Sequence, residues 1–255
     1  HYGRLLFGKN SRGGAQEWYI LGKDSGVLGD NTILFATSPI AKDKKFNSSE
    51  NNKTDRSLWS DCYYYGGTSV KEVFANHYGA SNLREELKTM ATNTSYFTTA
   101  EQFLMNPTTV TTVDNKNLCG YLTTDKLYAL AADGNKATSI KAGTSDSVVL
   151  DIKSYWSSEN RFWLRSPYDW DNLHHALYVY PNKMVDELKV DNTLTVQPAS
   201  NLNLSSVLFA SAATAASSDT VVTDKIASSK AMTLRLDGTE KDIGTVTYNT
   251  TTGDI

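Results

Sequence analysis

"RFWLRSP", residues 161–167, is the stretch on which the fold turns. Three large apolar side chains, Phe162, Trp163 and Leu164, stand in a row between two arginines, and Ser166-Pro167 ends the run. Successive side chains on a strand point to opposite faces, so Trp163 faces away from its two neighbours. The segment reads as a buried strand with charged edges. Large aromatics are mostly buried, so Trp163 is expected in the core or under a loop. Arg165 and Ser166 are expected to fix the strand's end by hydrogen bonds.

Upstream, "RLLFG" (4–8) and "EWYILG" (17–22) flank "NSRGGAQ", a Gly-Gly break between two apolar runs that signals a hairpin. "NTILFATSPI" (31–40) reads as a third strand stopping at Pro39, and the polar residues 41–61 as a surface loop. "SNLREELKTMAT" (81–92) is a helix: Ser81 can cap it, Glu85 lies in its first turn, and Leu83, Leu87 and Met90 share one face. "TTAEQFLMN" (98–106) is a shorter helix capped by Thr98 or Thr99 and ended before Pro107. "TTDKLYALAADGNK" (123–136) reads as a third, with Thr124 as cap, Leu127 and Leu130 inward and Asp133-Gly134-Asn135 as its end.

Downstream, "SVVLDIKSYW", "HALYVYPN", "ELKVDNTLTVQPASNLN" and "SSVLFAS" read as short strands with turns. Strands, then helices, then strands make the fold class α+β. The small polar stretch near 213–230 reads as a linker, and 231–255, alternating around Asp237-Gly238, as the start of a β-sandwich module of immunoglobulin-like type. A lone hairpin is marginal in water, so this piece is expected to pack on the first domain, residues 1–212, or on a neighbouring molecule.

The totals narrow the function classes. In 255 residues, 40% are hydrophobic and 21% charged, enough for a sizeable core. The net charge of −3 and the lack of a basic tract argue against nucleic acid. The longest uncharged stretch, near 199–218, is too polar for a membrane span. The chain opens on His1 rather than Met, as a mature segment would, and Tyr occurs 14 times but Cys only twice. An extracellular or cell-surface location is the expectation. Cys62 and Cys119 are open to two readings, a disulfide or two quiet buried thiols.

"TILFA", "ASNLREEL", "TTDKLYALAADGN", "RFWLRSP" and "DNTLTVQPASNLNLSSVLFAS" occur in this order. Together they resemble a domain of unknown function common in surface and secreted proteins of Gram-positive gut bacteria, over residues 4–211. Two positions depart from that pattern: Gln197 stands where the family has Arg before Pro198, and the Gly of the last turn is replaced within "VDNT". The closing "WLRS" and "QPASNL" also resemble the end of C-type lectin-like folds, among them formylglycine-generating enzymes and the hypervariable proteins of diversity-generating retroelements. The resemblance implies a C-type lectin-like core.

The segment "YDWDNLHHALYVYPN" (168–182) carries the candidate ligand-binding residues Tyr168, Asp169, Trp170, Asp171, Asn172, His174, Tyr178 and Tyr180. Tyr and Trp offer rigid contact area at low entropy cost, and Asp and Asn add adaptable hydrogen bonds. The alternative is a solvated loop with a few aromatics folded back. In C-type lectin-like folds this final third is the ligand face, which favours binding. Asp169, Asp171 and Asn172 are hard oxygen donors of the kind Ca²⁺ prefers, which leaves Ca²⁺ open as a ligand, but their spacing matches no EF-hand or lectin calcium pattern, and the expectation is no cofactor. His174 and His175, adjacent on a strand, would point apart and so not share a metal.

A second cluster, Trp59 with Tyr63, Tyr64 and Tyr65, is either another stacking platform or a strand with one Tyr inside. No segment proposes a catalytic pair. The expected function is a non-catalytic binding or adhesion domain for an extracellular glycan or a host or bacterial protein. The alternatives are an enzyme on the same scaffold, glycan-acting or formylglycine-generating-like, and a hypervariable ligand-binding protein.

Overall fold

The computed structural model describes residues 3–23, 31–51, 73–112, 121–133, 136–142, 146–149, 160–168, 173–180, 184–203, 209–212 and 231–235. The protein is mostly β-sheet with a few short helices, an α+β arrangement of mixed, largely antiparallel sheets. The expected opening hairpin forms from β1 (Gly3–Lys9) and β2 (Ala15–Lys23), followed by β3 (Asn31–Ala36). β4 (Ala41–Lys45) corrects the reading of 41–61 as loop throughout. Its sequence, AKDKK, carries three lysines because it lies at the end of its sheet, and charged side chains there discourage pairing with other chains.

Helix α1 (Asn82–Thr92) forms where its pattern places it: the Ser81 hydroxyl accepts from Arg84 N at 3.1 Å, and Leu83, Leu87 and Met90 are buried. Helix α2 (Thr99–Leu104) is capped by Thr98 in a reciprocal box with Glu101. The other carboxylate oxygen of Glu101 accepts from Gly8 N at 2.8 Å. Gly8 has φ +69°, and a Cβ there would lie 2.4 Å from the Phe97 ring, so this position requires glycine. Short β5 (Met105–Asn106) follows α2 directly, and β6 (Thr108–Thr112) follows β5.

The third expected helix is absent. Residues 123–133 form two strands joined by irregular backbone instead, with Thr124 inside β7 (Tyr121–Asp125) and Asp133 ending β8 (Ala131–Asp133). Leu127 and Leu130 are buried as expected, but Tyr128 and Ala129 between them are buried too. Leu127 and Ala129 enter one core while Tyr128 and Leu130 enter the other. A helix would bury one stripe; a chain threaded between two cores buries every residue at a period of two. Backbone pairing of Tyr128 with Ala199, at 3.1 and 2.9 Å, holds it there.

β9 (Lys136–Ala142) and β10 (Asp146–Val149) complete a small sheet with β8. β11 (Phe162–Pro167), β12 (His175–Val179), β13 (Val185–Lys189) and β14 (Thr193–Val196) join β4 in a five-stranded sheet of order β13-β12-β11-β14-β4. β15 (Ala199–Asn203), β16 (Phe209–Ala212) and β17 (Ala231–Arg235) join the first strands in a seven-stranded sheet of order β16-β17-β1-β2-β3-β15-β5. β17 runs parallel to β1 and antiparallel to β16. The first strand of the expected separate module thus lies in the sheet of the first domain, where β1 and β16 satisfy its backbone; residues 213–230 and 236–255 lie outside the described residues.

"RFWLRSP" sits at the junction of the two cores. Trp163 joins Leu5, Trp18, Leu34 and the α1 leucines in the larger one. Phe162 and Leu164 join Ile33, Phe35, Tyr128 and Val179 in the smaller one. The alternation therefore holds, and both faces of β11 are covered. Arg165 Nη1 donates to Ala129 O at 2.9 Å and its backbone N to Leu130 O at 2.7 Å. Burial pushes the Arg165 guanidinium down to about 10. Ser166 Oγ accepts from Ala132 N at 2.9 Å. Both residues hold the strand's end, as expected. Gln197 Nε2 donates to the backbone carbonyl of Ala36 at 2.7 Å. Among the described residues no helix is long and apolar enough to cross a membrane.

Candidate functional site: the loop between β11 and β12

β11 and β12 pair antiparallel, and the loop joining them begins at Tyr168, the first of the aromatic-polar residues. Tyr168 N donates to His175 O at 3.1 Å, closing the loop at its base. Asn76, itself fully buried, reaches in from the segment before α1. Its Nδ2 donates to His175 O at 2.8 Å and Tyr168 O at 3.4 Å. Val190 N donates to His174 O at 2.9 Å from the other side. The two ends of the loop are therefore tied to each other, to the buried Asn76 side chain and to the backbone of buried Val190.

A charged cluster borders this base. Glu50 bridges Lys189 Nζ at 2.9 Å and His174 Nε2 at 3.3 Å. The hydrogen bond from Lys189, with His174 nearby, holds the Glu50 carboxyl below its ordinary range. His175 Nδ1 lies 2.9 Å from Glu187 Oε2. The two imidazoles engage different carboxylates, although they do not point to opposite faces: His174 precedes β12, and the rings meet edge to face at 5.1 Å. Among the described residues no group of three or more His, Cys, Asp or Glu is arranged to hold a metal ion.

The expected ligand residues do not form one patch. Tyr168 and His174 flank the loop and are partly exposed. Asp169, Trp170, Asp171 and Asn172 lie outside the described residues, as do Trp59, Tyr63, Tyr64, Tyr65, Cys62 and Cys119. Tyr178 is corrected to a core residue: only 4% exposed, it packs edge-on against Trp163 at 6.3 Å, and burial raises its phenol above its ordinary value. It shares the Trp163 face because β12 pairs Tyr178 directly with Trp163. Tyr180 is at the far end of β12, about 16 Å from His175 at about 3.3 Å per residue. There Arg161 lies over its ring at 4.6 Å and donates to its hydroxyl at 3.3 Å.

Sequence reasoning missed the groups that hold the loop. Asn76 and Glu50 come from 99 and 139 positions away from His175 and Lys189 respectively, and an isolated Asn or Glu in a polar stretch carries no local signal of such a partner. The arrangement suits non-covalent recognition, with a polar-aromatic segment joining two strands that the cores hold in place. No family model, curated protein or solved structure matches this chain.

Proposed function

We propose that this chain is a non-catalytic binding or adhesion domain with a C-type lectin-like core. It acts at the cell surface or in secreted form, on an extracellular glycan or protein, through the loop between β11 and β12. The observation that carries this reading is the anchoring of that loop. Its first strand is buried on both faces, and its two ends are tied down by Asn76 and by the Tyr168–His175 backbone bond. A rigid base lowers the ordering cost of binding, which otherwise takes about 0.5–1.5 kcal/mol per immobilised side chain. The ordered resemblance of five motifs to surface and secreted proteins of gut bacteria supports the same reading, and the oxygen donors Asp169, Asp171 and Asn172 leave room for a Ca²⁺-assisted contact.

An array of glycans and host proteins, probed with and without Ca²⁺, tests the class of ligand. Binding is expected to at least one class, and Tyr168→Ala is expected to weaken it several-fold. Binding indifferent to every substitution between 168 and 174 would place the ligand elsewhere, with Trp59 and Tyr63 to Tyr65 as the next surface to vary.

A further inference from the structure

We infer that a second ligand site lies at the opposite end of β11: a small polar cleft that takes an anionic group carried on a sugar, a carboxylate or sulfate flanked by hydroxyls. Three separate segments converge on it. The β1–β2 turn contributes Asn10, Ser11 and Arg12, the link from β3 to β4 contributes Ser38, β4 contributes Lys42, and Asn160 enters just before β11. The cavity is about 250 Å³. That is below the roughly 300–1,000 Å³ of pockets that enclose drug-sized ligands, and suits one sugar ring rather than an extended chain.

The walls are held by hydrogen bonds to backbone groups. Asn10 Oδ1 accepts from Arg12 N at 3.0 Å and Gly14 N at 3.2 Å, which fixes the turn. Ser11 N donates to Ile40 O at 2.8 Å, docking that turn on the β3–β4 link. Gln16 Nε2 donates to Ser38 O at 3.1 Å, and Ile40 N to Val196 O at 2.9 Å. β4 carries a bulge at this level: Leu194 pairs with Lys44 and Val196 with Ala41, so Lys42 and Asp43 together oppose Thr195. Asp43 takes φ 55°, the left-handed region that non-glycine residues enter rarely. Bulges recur where a strand must re-aim a side chain, and here the bulge carries Lys42, which lines the cleft.

The chemistry of the lining selects the ligand. Two cations, Arg12 and Lys42, line the cleft, and among the described residues none of the lining is acidic. Among the described residues neither forms an ion pair, whereas Arg4, Lys44, Arg84, Lys88 and Lys189 all do. In a chain of net charge −3, two cations on one cleft, neither with a carboxylate partner among the described residues, attract an anion. The amides of Asn10 and Asn160 and the hydroxyls of Ser11 and Ser38 can donate to and accept from sugar hydroxyls. From Asn160 to Tyr168 the chain covers about 26 Å at about 3.3 Å per residue, so this site is distinct from the loop and stands or falls without it.

The test is a ¹H–¹⁵N NMR titration of the whole chain at low salt with four probes: methyl glucuronide, N-acetylglucosamine 6-sulfate, methyl glucoside and inorganic phosphate. One or both acidic sugars are expected to give saturating shifts at the amides of Arg12, Ser38, Lys42 and Asn160, leaving Tyr168 and His174 unmoved. Arg12 and Lys42 are exposed, so Arg12→Gln/Lys42→Gln is expected to keep the melting temperature and weaken the acidic sugar at least tenfold. Equal binding of methyl glucoside, phosphate binding as tightly as the acidic sugars, a double variant within twofold of the parent, or no saturable shift with any probe would each overturn the proposal. Loss of the loop's own ligand in Tyr168→Ala leaves this titration unchanged, so the two sites fail separately.

Discussion

Asp125→Ala is expected to cost about 3–5 kcal/mol of folding stability, measured by urea denaturation. Arg84 Nε donates to Asp125 Oδ2 at 2.8 Å and Nη2 to Oδ1 at 3.0 Å, a two-pronged pair whose side chains are 6% and 1% exposed. Arg84 Nη1 also donates to Gly79 O at 2.9 Å. Burial alone would lower the arginine's pKa, but its bonds to Asp125 outweigh that and raise it, so the guanidinium stays charged. Truncating the carboxylate strands that charge in the interior. The paired substitution Arg84→Met/Asp125→Leu removes both charges together and is expected to recover most of the loss, because a buried ion pair repays little beyond its own desolvation. A loss under about 1 kcal/mol for Asp125→Ala would mean that water reaches Arg84 and that the pair is not a closed interior contact.

Trp163→Ala is expected to cost a similar amount, about 3–5 kcal/mol, and to lower Tm by on the order of 10 °C. The indole is 1% exposed, meets Phe46 at 5.7 Å and Tyr178 at 6.3 Å edge-on, and its Nε1 donates to Lys44 O at 2.9 Å. It therefore joins β4, β11 and β12 across the five-stranded sheet. Trp163→Phe keeps much of the packing and loses the hydrogen bond, and is expected to cost about 1–3 kcal/mol. Equal effects of the two substitutions would show that the bond to Lys44, rather than the ring's volume, sets the cost.

What could be read from the chain alone follows from the range of the interactions involved. Helices α1 and α2 were legible because Ser81 and Thr98 cap them through neighbours three residues away. The direction of Trp163 was legible because strand alternation is a property of consecutive residues. The third helix was misread because Leu127 and Leu130 fit a helical face, while the competing fact, a second core on the other side of Tyr128, depends on Ile33, Phe35 and Phe162 far away in the chain. β4 was hidden by its lysines, whose strand character comes only from pairing with β14. At the site, the residue types of the loop were visible, but the separation of Tyr180 from Tyr168 and the burial of Tyr178 follow from the register of β11 against β12. The convergence of Arg12, Lys42 and Asn160 likewise joins segments with no shared local pattern.

The most direct measurement of the central claim is ligand affinity and Tm, side by side, for Trp170→Ala, with the ligand taken from the array. One stacked ring is worth on the order of 1 kcal/mol beyond area burial, about a fivefold change in Kd. The account predicts that Trp170→Ala weakens binding at least several-fold with Tm nearly unchanged. Unaltered binding, or a domain that unfolds when Trp170 is truncated, would contradict the assignment of the loop between β11 and β12 as the ligand surface.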